Sequence, residues 1–150
     1  MYTDLGRSCN VIGISTNTED ASRVVVMQRF NLDRGALHYL PLAEFEQRIA
    51  QRSTACFRAM VTPVIYDSPP QNEGWLPPGK YRHFKGGEYN CIGVARGDNP
   101  RDPLFMIYQS LYGGQIFQMA HRPYEMFIDE VDRPDHGYKG PRFTLITSYK

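Results

Sequence analysis

From Gly79 to Gly86 the chain reads Gly-Lys-Tyr-Arg-His-Phe-Lys-Gly, so cations and aromatic rings alternate. In an extended strand successive side chains point to opposite faces, which puts Lys80, Arg82 and Phe84 on one face and Tyr81, His83 and Lys85 on the other. A cation beside aromatic rings suits a planar anion: Arg forks onto phosphate oxygens, and Tyr or His stacks on a heterocyclic base. Arg96 and Arg122 extend the basic set, and Tyr108, Gln109 and Tyr112 can wall a pocket together with Phe117. The candidate ligand-binding residues are therefore Lys80, Tyr81, Arg82, His83, Lys85, Arg96, Tyr108, Gln109, Tyr112 and Arg122. A plainer reading competes with this one. Residues 79–122 carry six Lys/Arg against three acids, whereas 125–135 carry five acids and one Arg, so the cations can pair with that acidic run as a solvated seam of small energetic value.

Other chemistry has less support. Cys9, Cys56 and Cys91 are odd in number and widely spaced, and His38, His83, His121 and His136 fall in no HExxH or HxxxH spacing, so no metal site is expected. There is no G-x-S-x-G elbow and no phosphate-binding glycine loop opening a helix, so no catalytic residue is assigned and no cofactor is expected. The enzymatic alternative is a small hydrolase or transferase with His83 or His121 as general base beside Asp129 or Glu125.

The 150 residues carry 17 Lys+Arg against 16 Asp+Glu, a near-neutral balance that argues against strong nucleic-acid binding, which needs a surplus of cations. Hydrophobic residues make up 41% of the chain, enough for a packed core. Thirteen Gly and eleven Pro among many Tyr and Phe favour short strands and frequent turns. No run reaches the ~20 apolar residues of a membrane span, and the N-terminal residues lack the pattern of a secretory leader. A cytoplasmic protein with reduced thiols is expected.

Two segments about eighty residues apart overlay with small gaps. Tyr2 and Gly6 match Tyr81 and Gly86; Asn10, Ile12 and Gly13 match Asn90, Ile92 and Gly93. Gln28 then matches Gln109, Pro41 and Phe45 match Pro123 and Phe127, and Phe57 lines up with Phe143. The preserved order reads as a diverged tandem duplication: an N-terminal repeat over 1–65, a Pro-rich connector over 66–78 holding Trp75, and a C-terminal repeat over 79–150.

Turn formers bound strands at 81–84, 89–96, 104–111, 115–122 and 143–147 in the second copy, and at 10–16, 23–30, 36–40 and 55–61 in the first. Pro123 can start a helical turn with Tyr124, Phe127 and Val131 on one face. A longer helix from about 42 to 52 buries Leu42, Phe45 and Ile49. The expected fold is mostly β with short helices: two tandem small SH3-like β-barrel units packed as one pseudo-symmetric body, because a unit of ~65 residues buries little surface alone.

The run GKYRHFKG, followed by Gly93-Val-Ala-Arg96, Tyr108-Gln109, Leu111-Tyr-Gly113, Arg122-Pro123, Met126-Phe127 and Arg142-Phe143, resembles a bacterial and phage family of unknown function over about residues 79–147. The resemblance brings no activity with it. Two departures touch the candidate site: Gly97-Asp-Asn-Pro-Arg-Asp102 stands where a polar Thr-Glu element is expected, and Phe117 stands where a tryptophan is expected. The first copy carries Thr3, Asp4 and Leu5 where the second has Arg82, His83 and Phe84, so the shared residues read as frame and the cations as function. The expected function is a non-catalytic protein that holds or sequesters a small anionic, nucleotide-like ligand. The alternative is an adaptor that presents the same face to a peptide or an RNA segment. Open sheet edges also leave room for a homo-oligomer.

Overall fold

Val24-Val-Val-Met27 is a β-branched run with no helix-forming break, and it forms the centre of a strand buried on both faces. A computed structural model of the chain describes residues 2–4, 7–29, 36–51, 74–113 and 118–149. The strand expected at 55–61, residues 66–73 of the connector, Gly6, Cys56, Phe117 and the side chain of Ile49 lie outside the described residues.

In chain order the elements are β1 (Tyr2–Asp4), β2 (Arg7–Asn17), β3 (Arg23–Arg29), β4 (Ala36–Pro41), α1 (Leu42–Gln51), β5 (Gly79–His83), β6 (Glu88–Ala95), β7 (Phe105–Ser110) and β8 (Met119–Pro123). Then follow α2 (Tyr124–Phe127), β9 (Glu130–Arg133), a 3-10 turn (Pro134–His136), β10 (Tyr138–Pro141) and β11 (Phe143–Ser148). The protein is mostly β, but the strands do not divide into two small barrels. Nine of them run in one open sheet, in the order β11-β5-β6-β7-β8-β2-β3-β4 with β1 on β2, and β9 and β10 form a separate hairpin. The reason is the junction: β8 pairs in parallel with β2 through Thr16↔Ala120 and Asn17↔His121, so the sheet continues across the midpoint of the chain. A single parallel bridge, His38↔Arg96, also ties β4 to the end of β6.

Two antiparallel meanders, β2-β3-β4 and β6-β7-β8, have matching registers. Asn10 faces Gln28 as Asn90 faces Gln109, Gly13 faces Val26 as Gly93 faces Ile107, and Val24 faces Pro41 as Phe105 faces Pro123. Both carry a bulge just before the glycine, between Val11 and Gly13 and between Cys91 and Gly93.

The period of two along β3 and β7 divides the core into layers. Val24 and Val26 join Phe105 and Ile107 in one cluster shared by both meanders, with Leu37, Tyr39 and Ala95. On the opposite face Val25 and Met27 pack with Leu40 beneath Leu42 and Phe45 of α1. Met106 and Tyr108 likewise pack with Phe127 of α2, together with Tyr81, Cys91, Val94 and Phe143. Trp75 settles against this second cluster, 6.3 Å from the Tyr124 ring. Val131, expected on the face of α2, belongs instead to β9, because α2 is a single turn ending at Phe127. Among the described residues no helix is long and apolar enough to cross a membrane.

Candidate functional site

β5 ends at His83, and the turn back to β6 carries Phe84, Lys85 and Gly87. A Cβ at Gly87 would clash with the Tyr112 ring, so the missing side chain lets that ring lie against the turn. From the other side the β9–β10 hairpin leans in. Phe84 stacks on Tyr138 at 5.5 Å and meets His136 edge-on at 5.6 Å. Between turn and hairpin lies a cleft of about 760 Å³ lined by His83, Lys85, Tyr112, Arg122, Arg133 and Arg142, with Glu88 and Tyr89 at its side.

The cations of the cleft differ in how they are balanced. Arg142 is tied to Asp129 by two charge-assisted bonds of 2.6 and 2.8 Å, which also hold the Asp129 carboxyl below its ordinary value. Arg133 forks onto Asp135 at 3.0 and 2.8 Å. Arg122 lies over the Phe143 ring at 5.4 Å and donates from Nε to the Tyr108 hydroxyl at 3.3 Å. Its ion pair among the described residues, with Glu19, is loose at 3.9 Å, although its side chain is only 14% exposed. Lys85 makes no ion pair among the described residues. His83 registers this field. Burial first, then Arg122, Arg142 and Lys85, push its pKa down to about 4, so it is neutral at physiological pH. Its Nδ1 accepts the Lys85 backbone N–H at 3.2 Å, which leaves the proton on Nε2 as a donor.

A second hollow of about 500 Å³ shares Tyr89, Tyr112 and Arg122 with the first. Its other walls include Tyr108, Ser110, Met119 and, from the N-terminal meander, Thr16, Asn17 and Thr18. The Tyr89 and Tyr112 hydroxyls meet at 2.7 Å, with their rings edge-on at 5.6 Å.

Of the residues named from the sequence, His83, Lys85, Tyr112 and Arg122 line the first cleft, and Tyr108 lines the second. Lys80 and Arg82 line neither hollow and share Glu88 at 2.7 and 2.9 Å, so their partner is the neighbouring strand and not the acidic run after Pro123. Tyr81 is core: it is 1% exposed, its hydroxyl donates to the Pro77 carbonyl at 2.7 Å, and its ring meets Phe127 edge-on. Arg96 lies over Trp75 at 5.0 Å, away from the cleft. Gln109 accepts the Asn90 amide across the β6–β7 pair at 3.2 Å and lines neither hollow. Neither hollow brings Arg82 and Arg96 together with Arg122. The residues missed were Arg133, Arg142, Phe143 and Tyr89. The signal for the first two was Pro134-Asp-His-Gly137, a turn sequence between two short extended runs.

Residues 79–145 match the family model described as a protein of unknown function, DUF1653. No curated protein matches the chain. Among solved structures, a DUF1653 protein from Bordetella bronchiseptica is 31% identical; the match covers 50% of this chain and 92% of that one, with a TM-score of 0.43. Residues 79–145 of the chain thus form a DUF1653 domain.

Proposed function

We propose that the protein binds, without catalysis, a small anionic, nucleotide-like ligand in the basic and aromatic cleft of its C-terminal half. The observation that carries this reading is Arg122: a largely buried guanidinium, set over an aromatic ring, whose carboxylate partner is 3.9 Å away. A desolvated charge without a close counterion is costly, and a phosphate or carboxylate from solution would satisfy it. Lys85 and the Nε2 proton of His83 supply further donors on the same cleft. Among the described residues His83 takes a backbone N–H and no carboxylate contact, which leaves a general-base role without an orienting partner. The matching registers and bulges of the two meanders support the reading that they are diverged copies, with the cations kept only in the second. An adaptor role has one observation in its favour: β11 ends the sheet with Leu145 and Ile146 exposed, an edge to which a peptide could add as a strand.

The test is a thermal-shift screen with nucleoside mono- and diphosphates, cyclic dinucleotides, ADP-ribose and short RNA oligomers. A ligand at 100 times its Kd stabilises by about 2.7 kcal/mol. A shift lost in Arg122→Leu and kept in Arg82→Ala is expected. No shift with any of these probes would refute the reading.

A further inference from the structure

The two hollows differ in chemistry although they share a wall. The first holds Lys85, Arg122, Arg133 and Arg142, whereas Arg122 is the sole cation among the described residues that line the second. The polar groups of the second are neutral: the hydroxyls of Thr16, Thr18 and Ser110 and the carboxamides of Asn17 and Gln118. Groups of this kind read the edges of a heterocycle or the hydroxyls of a sugar, and they carry no charge to offset that of a phosphate. Tyr112 stands at the shared wall, half exposed, with its hydroxyl anchored on Tyr89. An aromatic ring fixed at the edge of a basic cleft is a stacking surface for a planar base.

We infer that the two hollows bind one nucleotide, its phosphates in the basic cleft against Arg122 and its nucleoside in the neutral hollow against Tyr112 and the Thr16–Thr18 segment. The inference rests on the anion-binding reading proposed above and adds to it the ligand class, its orientation, and a share of the site for the N-terminal half. That share follows from the sheet junction. β2 pairs with β8 at Thr16↔Ala120 and Asn17↔His121, and the Thr18 N–H donates to the His121 carbonyl at 2.9 Å. The segment is thereby set one residue from Arg122, on the strand beside it. The Asn17 side-chain oxygen accepts the Glu19 N–H at 2.9 Å, which fixes the orientation of its carboxamide.

Calorimetric titration of the full chain with inorganic pyrophosphate and with ADP, GDP, CDP and UDP separates the two claims. At least one nucleoside diphosphate is expected to bind 10-fold or more tighter than pyrophosphate. Thr16→Phe, an exposed strand position whose enlarged side chain fills the neutral hollow, is expected to erase that preference and leave pyrophosphate binding unchanged. Pyrophosphate binding also reports that the variant is folded, and Gln118→Trp, at another exposed position, fills the same hollow from the start of β8. Arg122→Leu is expected to weaken both ligand types 10-fold or more. Equal affinity for pyrophosphate and every nucleotide, or a preference that survives both blocking variants, would overturn the inference and leave the anion site standing. Absence of binding by every probe would overturn both.

Discussion

The meanders β2-β3-β4 and β6-β7-β8 solve one packing problem twice and one chemical problem once. At matching register positions Leu40 stands where Arg122 stands: Leu40 is 2% exposed in the cluster beneath α1, while Arg122 turns its guanidinium into the cleft over Phe143. Tyr39 and His121 likewise match. Both lean on Phe105, at 4.8 and 4.6 Å, but Tyr39 donates its hydroxyl to the Pro103 carbonyl, whereas His121 shares a buried hydrogen bond with Ser15. Ser15 in turn matches Ala95, and both are fully buried. The backbone frame, with its bulge and its two-layered strand, is indifferent to these exchanges. A position can be apolar in one meander and a cation turned into a cleft in the other because each meander is covered by a different element, α1 in the first and α2 in the second.

The largest effect is expected from exchanging the two residues that differ most. Leu40→Arg places a cation among Val25, Met27 and Leu42 with no partner, and should cost about 4 kcal/mol or more in urea unfolding. The reverse change, Arg122→Leu, should alter stability by less than about 1 kcal/mol while abolishing ligand binding. Equal costs would mean that the two meanders use this position alike. Next come the bulge glycines. Gly93 has φ +147°, which an L side chain rarely adopts, so Gly93→Ala should cost about 2 kcal/mol. At Gly13 the backbone is not left-handed, and an added Cβ meets only the flexible end of Met119, at 2.8 Å, so Gly13→Ala should cost less. Differential scanning calorimetry of the pair would decide it.

Ser15→Ala removes the hydroxyl bonded at 2.8 Å to His121 Nδ1 and leaves a buried nitrogen unmet, at a cost of about 1–2 kcal/mol. The smallest effect per step is in pH. Burial pushes the His121 pKa down to about 4 in the folded protein against an ordinary 6.5, Asp20 opposing weakly. Between pH 6.5 and 4 the unfolded chain therefore binds the extra proton. Stability falls as pH drops through that window, by at most about 1.4 kcal/mol per unit for this group, and levels off below it. His83 is depressed in the same direction. Acid unfolding followed by circular dichroism should show a shallower slope in His121→Asn, whose carboxamide can still meet Ser15. An unchanged slope would assign the acid response elsewhere.

Of the described strands, β2 to β8 and β11 are legible because the chain marks them locally, whereas the short β1, β9 and β10 are not. Val24 to Met27, the alternation after Tyr81 and the Gly and Pro between runs fix where extended segments lie, and the residues of the Asn-x-Ile-Gly match fall at the bulge that both meanders carry. Their assembly was not legible, since nothing local to Thr16 or Ala120 signals that the two meanders pair in parallel across the middle of the chain. The site divided along the same line. Arg122, His83 and Lys85 were legible from residue type and spacing. Arg82 lies outside both hollows: alternation gives a face but not its partner, and the register that sets Arg82 opposite Glu88 is a property of the pair of strands. Arg133 and Arg142 were hidden by the acidic run around them, whose Asp129 and Asp135 turned out to position both guanidiniums.

The most direct test of the account is the binding of nucleoside diphosphates to the unaltered protein and to Arg122→Leu, measured side by side with their urea unfolding. The account predicts saturable binding to the first, its loss in the second, and unfolding midpoints that nearly coincide. Binding that survives in Arg122→Leu, or a variant that fails to fold, would contradict it by making Arg122 part of the frame rather than of the site.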